Sequence, residues 1–562
     1  MKKVLAFILA AVLCLSIGLT GCQSSNSPSD GDKAVNNTEK PAGDGKVGGD
    51  TAESNLTQKG MYPIVNEKVD MSVMIATEAE DVENSYVTKF YEEKTNIHIN
   101  WQVIPRDGGA EKISLMLASK QNLPEVIISG YSGAISQDVA YSYGQQGMFL
   151  ALNKLIDENC VNLQKAFNYV PDFRRQMTAP DGEIYGFAEW NECFHCMYHQ
   201  RAYINTAWLK NLGLEKPKTT DDLVKVLEAF RDQDANGNGD PGDEIPLTSV
   251  QGWGGGVDGF LSNPFIYDDG ENRLYVKDGK VDATFVQPEF KEALSFIKKL
   301  YDDKLLDSEA FNTDTPTAKM LAGAEEGNRL GLVLTGGPAF VDYTTNRQLE
   351  YEALEPLTGP TGLKQTGFYP SAASDPKAVI TNECKDPVVA IRWLDGMYDE
   401  EDLRWMGELG VHVREGQPGD VSFTGEQAAY IDLPATEEQM RTKDWRWAQP
   451  YIRTHAFRHS MGYDPNIYND QKVLYDNAVL YDGLEPKDRT PIPYLYFDTD
   501  QMLELSEIRT NVNTYVNENI AAFVVGQRDI GNEWDNYVKE FEGIGLQTYL
   551  GFIQKAYDEQ VK

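Results

Sequence analysis

Between residues 71 and 130 the apolar positions switch between two periods. MSVMI (Met71 to Ile75) reads as a short apolar strand, while Ile97, Ile99, Trp101 and Val103 alternate with polar neighbours, as in a half-buried strand that stops at Pro105. SYVTKFYEEKTN and KISLMLASKQ have helical spacing, and PEVIISG (Pro124 to Gly130) supplies a third strand. A β-α-β-α-β order predicts a parallel sheet with helices on its faces, and ligands of such sheets gather beyond the carboxyl ends of the strands. Gly130, Tyr131 and Ser132 stand at such an end. Farther along, Thr219 or Thr220 caps a helix with Asp222 in its first turn and Leu223, Val226, Leu227 and Phe230 on one face.

That helix runs into Asp234–Glu244, DANGNGDPGDE. Asp234, Asn236 and Asn238 alternate, Gly239 permits a sharp turn, and Asp243 and Glu244 add carboxylates, so several hard oxygens converge as calcium requires. The partial negative charge of the helix end favours a cation. The run begins as a helix-hand loop does, yet Ile245 occupies the twelfth position where that motif has glutamate. A surface turn rich in Asn, Gly and Asp is the competing reading.

The amino-terminal pattern sets the compartment. Lys2 and Lys3 precede the apolar run VLAFILAAVLCLSIGL, which is short for a membrane anchor and ends in Leu19-Thr20-Gly21-Cys22. The ending resembles a bacterial lipobox, which implies cleavage before Cys22 and acylation of its sulfur; an ordinary secretory signal is the alternative. Residues 23–60 hold almost no large apolar side chain and read as a flexible tether.

The chain has 562 residues, 41% of them hydrophobic, enough for more than one domain or lobe. A formal charge of −36 argues against a nucleic-acid or anionic-membrane partner. Cys160, Cys193, Cys196 and Cys384 remain in the body, and Cys193-Phe194-His195-Cys196 with His199 nearby admits zinc, a redox pair, a structural disulfide or buried thiols. H-E-x-x-H and G-x-S-x-G are both missing, which agrees with a binder. The run Gly252–Gly256 lacks the frame of a phosphate loop.

Several phrases occur in one order: DGEIYGF, YINTAWLKNLGLEKPKTTDDL, NGNGDPGDEIPL, LYVKDGKV, PEFKEALSFIKKLYDDKLLD, VVAIRWLDGMYDEE and EIRTNVNTYVNENIAAFVVGQRDI. Together they resemble the extracellular solute-binding proteins of family 1, in the large lipoprotein branch that serves oligosaccharide importers of Gram-positive bacteria and is related to alginate-binding proteins.

The resemblance implies an α/β, two-lobed periplasmic-binding-protein-like fold of type II, with discontinuous lobes joined by hinge strands. It divides the chain into a signal peptide (1–22), a linker (23–60), an N-terminal lobe (61–188 with 335–370) and a C-terminal lobe (189–334 with 371–562). Crossings are expected near Tyr185 to Trp190, Leu332 to Gly337 and Gly367 to Ser371. The resemblance further implies structural Ca2+ held by Asp234, Asn236, Asn238, Asp240, Asp243 and Glu244. The expected protein is a monomeric receptor, not an enzyme. It is tethered by lipid outside the cytoplasmic membrane and delivers an oligosaccharide to an ABC permease.

Sugar recognition needs flat apolar faces and hydrogen-bonding side chains in a concave site. Tyr131, Trp190, Trp253, Tyr369, Trp445, Trp447 and Arg453 stand in loops or near crossings and are the candidates, whereas Trp101, Trp208, Trp393 and Trp534 fall at regular apolar positions that suit a core. His455 and His459 fit either a ligand contact or a solvated face. A carbohydrate-active hydrolase or lyase, and a peptide- or signal-sensing binder on the same scaffold, are the alternative functions.

Overall fold

The first sheet starts as the alternation of periods requires. Strands β1 (Val69–Thr77), β2 (Ile97–Pro105) and β3 (Val126–Ile128) are connected by helices α1 (Tyr86–Thr95) and α2 (Gly109–Ser119), and β1 pairs in parallel with both neighbours. Ser85 caps α1, and Asn96 ends it in the left-handed region. The computed structural model describes residues 55–77, 79–406, 413–433, 445, 448–497 and 499–561. Cys22 and Trp447 lie outside the described residues.

Past a first crossing at about residues 188–201, the chain builds a second sheet from β4 (Ala202–Asn205), β5 (Ile245–Ser249), β6 (Leu330–Leu334) and β7 (Tyr351–Ala353), in the order β7-β4-β6-β5. Helix α3 (Thr220–Asp232) precedes β5, and α4 (Pro288–Asp302) lies between β5 and β6. Thr219 is the cap of α3, accepting from the Asp222 N–H at 3.0 Å. Leu223, Val226, Leu227 and Phe230 are all buried. Each such side chain contributes roughly 1.5–3 kcal/mol of burial.

The chain then returns to the first sheet. Strand β8 (Ala378–Ile380) pairs antiparallel with β3, giving the order β8-β3-β1-β2, and α5 (Pro387–Asp395) buries Val389, Ile391, Trp393 and Leu394 in the same core. A last crossing over Ile452 leads to α6 (Thr499–Val524), α7 (Ile530–Ile544) and α8 (Leu546–Gln560), which close the second core with Val512, Val516, Phe523, Trp534 and Tyr537. No described helix is long and apolar enough to cross a membrane.

These pairings correct the expected lobe boundaries. Residues 351–353 belong to the second sheet, and residues 378–395 to the first. The segment 335–370 is therefore largely in the second lobe, and the stretch after 371 begins in the first. LVLTGG is not a crossing: β6 is an interior strand, antiparallel to β4 and parallel to β5, and its all-apolar run fits a strand covered on both faces. Residues 55–60 depart from the expected linker. Leu56 bridges Val65, and the Thr57 carbonyl accepts from Arg392 Nη1 at 2.8 Å, so residues 55–60 are bound to the body.

Candidate sugar cleft and calcium loop

Three chain crossings knit together and carry the polar groups between the lobes. Trp190 N–H donates to Tyr451 O and Glu192 N–H to Arg453 O, both at 2.9 Å, joining the first crossing to the last. Tyr369 N–H donates to Met197 O and Ser374 N–H to Glu189 O, both at 3.0 Å, joining the first crossing to the middle one.

On the first-lobe side Tyr131 follows the carboxyl end of β3, as its position in the sequence predicts, and is 43% exposed. Its hydroxyl donates to Glu189 Oε2 at 2.7 Å and lies 3.2 Å from the Tyr451 hydroxyl. Asn191 Nδ2 donates to the other Glu189 oxygen at 3.3 Å, and Asn191 Oδ1 accepts from Arg458 Nε at 2.9 Å. Lys377 Nζ sits 3.2 Å from the centre of the Tyr131 ring and 3.5 Å from Glu189. Burial pulls the Lys377 ammonium below its ordinary value, and the Glu189 charge opposes that. Arg453 is fully buried with its guanidinium 4.0 Å from the centre of the Tyr451 ring.

On the second-lobe side Trp253 follows the carboxyl end of β5 and is 47% exposed. The His199 ring stacks on it with centroids 5.7 Å apart, and the Tyr369 ring lies 3.8 Å from His199 on centroids. The backbone after β6 comes close: Gly336 N–H donates to Trp253 O at 2.9 Å, and a Cβ at Gly336 would fall 2.5 Å from Trp253 Cε3. Glycine is required there by this approach. Two half-exposed aromatic rings thus stand at carboxyl ends of strands, one on each lobe.

Two tryptophan candidates are corrected. Trp445 is 1% exposed, tilts against Trp101 at 5.4 Å and donates Nε1 to Thr88 Oγ1 at 2.8 Å, so it fills the first core. Trp190 is buried on Phe173 at 5.6 Å. Side chains alternate along an extended segment, so with Trp190 turned inward its neighbours Glu189 and Asn191 turn toward Tyr131. The seam around Tyr131 thus holds Glu189, Asn191, Lys377, Tyr451 and Arg458, and His199 backs Trp253, none of which the loop aromatics in the sequence point to. The alternation around Trp190 was the one available signal. Trp208, Trp393 and Trp534 are core residues as expected, and Trp101 is partly buried against the first core.

Cys193 and Cys196 form a disulfide, which settles that pair, while Cys160 and Cys384 are free. Beneath Tyr369, whose hydroxyl donates to Asp269 O, lies a buried charge group in which Arg273 Nη2 meets Asp258 Oδ2 at 2.7 Å and Arg273 Nε lies 3.7 Å from Asp268. Burial first, and the Asp258 charge second, push the Asp268 carboxyl up to about 7 against the pull of Arg273. Because the folded value lies above the unfolded carboxylate value of about 3.9, the contribution of Asp268 is fully present at low pH and is lost as pH rises toward 7 and through it. Melting curves from pH 5 to 8 are expected to show this decline, and Asp268→Asn to flatten it; an identical slope in the variant would remove Asp268 as the cause.

The Asp234–Glu244 loop is a cage of oxygens. Gly237 and Gly239 take positive φ, which folds the loop back on itself. Asp234 Oδ2 accepts from Gly239 N–H at 2.9 Å, Asn238 Oδ1 from Asp240 N–H at 2.8 Å, and Glu244 Oε1 from Ala235 N–H at 2.8 Å. Asp243 accepts from the side-chain amides of Asn236 and Asn238, each at 3.0 Å. Asp234 Oδ1 and Glu244 Oε2 are buried without a hydrogen-bond partner, and burial raises the Glu244 carboxyl. Buried carboxylate oxygens left over after the turn's own hydrogen bonds fit a hard divalent cation. The loop precedes β5 and Trp253 follows it, so five strand residues, about 17 Å, separate the two sites.

Two α/β lobes with non-contiguous sequence, joined by three crossings that also carry the polar seam, define a hinged solute-binding protein. The family model for bacterial extracellular solute-binding proteins matches residues 76–402, more than half of the chain. The chain belongs to that family. It is 30% identical over 519 residues to the fructooligosaccharide ABC transporter substrate-binding protein FusA of Streptococcus pneumoniae, covering 89% of this chain and 91% of that one. The solved structure of S. pneumoniae FusA in complex with kestose superposes with a TM-score of 0.71 at 28% identity, covering 87% of this chain and 99% of that one. Lipoprotein LipO of Bacillus subtilis is 27% identical over 339 residues, 58% of this chain and 63% of that one.

Proposed function

We propose that the protein is a lipid-anchored extracellular receptor that captures an oligosaccharide between its lobes and delivers it to an ABC importer. The observation that carries the reading is a half-exposed aromatic ring after the carboxyl end of a strand on each lobe, Tyr131 on one and Trp253 on the other, with the Glu189–Asn191–Arg458 hydrogen bonds beside Tyr131. Trp253 and Tyr131 offer flat faces to the C–H sides of sugar rings, with Tyr369 behind Trp253. Glu189 and Asn191 offer donors and acceptors for hydroxyls, whereas Arg453, a candidate from the sequence, is fully buried and packs behind Tyr451. A sugar spanning both walls touches both rings only when the lobes are closed, so binding shifts the population toward closure.

The likeness to a fructooligosaccharide-binding protein makes short fructans the first probes. Acylation of Cys22 tethers the receptor, as the name of Lipoprotein LipO supports. Asp234, Asn236, Asn238, Asp240, Asp243 and Glu244 hold Ca2+, which supplies charge neutralisation to the loop and no chemistry to the sugar.

A thermal-shift screen of kestose, nystose and other neutral and charged oligosaccharides tests the reading. A ligand that binds only the native state raises Tm, by about 2.7 kcal/mol of added stability at a hundredfold excess over Kd. Sugar cleavage products in the same mixtures would overturn the receptor reading in favour of an enzyme.

A further inference from the structure

The Cys193–Cys196 bond closes a turn inside the first crossing, in the stretch Phe194–Tyr198 that leads from the Trp190–Asn191 ladder to β4. The bond joins positions only three apart. So short a loop restrains the unfolded chain little, because the stabilisation grows with the length of chain enclosed. Its effect is therefore local, and the groups beside it pack against Trp253. His199 Nδ1 lies 2.9 Å from the carbonyl oxygen of Cys196, so Nδ1 carries the proton and donates, which orients the ring that stacks on Trp253. The carbonyl of His195, between the two cysteines, accepts from Arg201 Nη2, and the His195 ring stands edge-on to Trp253 at 6.2 Å. The Arg201 guanidinium is 5.9 Å from the centre of the Trp253 ring.

We propose that the Cys193–Cys196 disulfide is a positioning element of the sugar site, holding His195 and His199 behind Trp253 when oxidised and releasing them when reduced. The inference rests on the reading of Trp253 as a sugar platform. In the reduction, one thiolate of an external dithiol attacks one sulfur of the pair and the S–S bond breaks. The resulting mixed disulfide is displaced by the dithiol's second thiol, which leaves the reagent as a cyclic disulfide and Cys193 and Cys196 as two protonated thiols.

The test compares the oxidised protein, the protein reduced with dithiothreitol, and the double variant Cys193→Ser, Cys196→Ser, each with and without Trp253→Phe. The difference between paired samples isolates Trp253 fluorescence. Opening the bond is expected to increase acrylamide quenching of Trp253 in sugar-free protein and to raise the Kd for kestose about tenfold, with a Tm change of only a few degrees. Unchanged quenching and unchanged Kd would overturn the proposal. So would a fall in Tm large enough for loss of the Trp253 signal to follow unfolding. If the oxidised protein binds none of the sugars, the receptor reading fails, and the quenching difference by itself still decides whether the disulfide positions Trp253.

Discussion

Trp253→Ala is expected to weaken oligosaccharide binding roughly 100-fold, a loss of about 2.7 kcal/mol, with little change in Tm. The asymmetry follows from geometry. Nearly half of the Trp253 surface is open to solvent in the free protein, so truncation removes a ligand face more than a piece of the core. The side chain is held from behind by His199 and by the Gly336 backbone, and removing it leaves that support in place but without a face for a sugar ring. Titration calorimetry with the tightest ligand of the screen measures the effect, and Trp253→Phe should recover most of it. Wild-type affinity in Trp253→Ala would place the sugar elsewhere. The same truncation at Trp445 is expected to do the reverse. Its ring lies among Trp101, Trp393 and the Thr88 hydroxyl, so Trp445→Ala should cost about 3–5 kcal/mol of stability.

Chelation is expected to lower Tm by several degrees without altering which sugar binds. If calcium stands a thousandfold above its Kd, the site adds about 4.1 kcal/mol to the folded state. Withdrawing the ion leaves Asp234 Oδ1 and Glu244 Oε2 buried and without a partner, beside Asp243. Asp234→Ala should abolish the response of Tm to calcium and leave the order of sugar affinities as it was. A melting curve indifferent to chelator would remove calcium from the loop, and a changed sugar preference in Asp234→Ala would contradict the separation of the two sites along β5.

The first sheet and the fold-back of the Asp234–Glu244 loop were legible because each is local. Period-two and helical patterns over 71–130 predict three parallel strands without reference to the rest of the chain, though not the antiparallel β8 that joins them, and the spacing of Asp234, Asn236 and Asn238 lies within one turn. The Thr219 cap was readable for the same reason. The cleft was not local. Tyr131, Glu189, Lys377 and Tyr451 meet through contacts between residues far apart in sequence, and nothing in the pattern around any one of them announces the others. The lobe boundaries failed on a related point. An all-apolar run such as LGLVL has no periodicity to show whether it crosses between sheets or lies inside one, and pairing with β4 and β5 decides it. Trp445 and Trp253 look alike as loop aromatics in the sequence, and only packing tells them apart.

The hydrogen bonds that tie the first crossing to the other two make the joint between the lobes a single plate of backbone rather than three independent straps. Backbone hydrogen bonds of this kind couple the three crossings, so one cannot shift without the others. Glu189 and Asn191, which carry the polar seam beside Tyr131, are themselves part of that plate. If the seam binds the proposed sugar, sensor and spring are one object, and a substitution in the crossing is expected to change affinity and closure together.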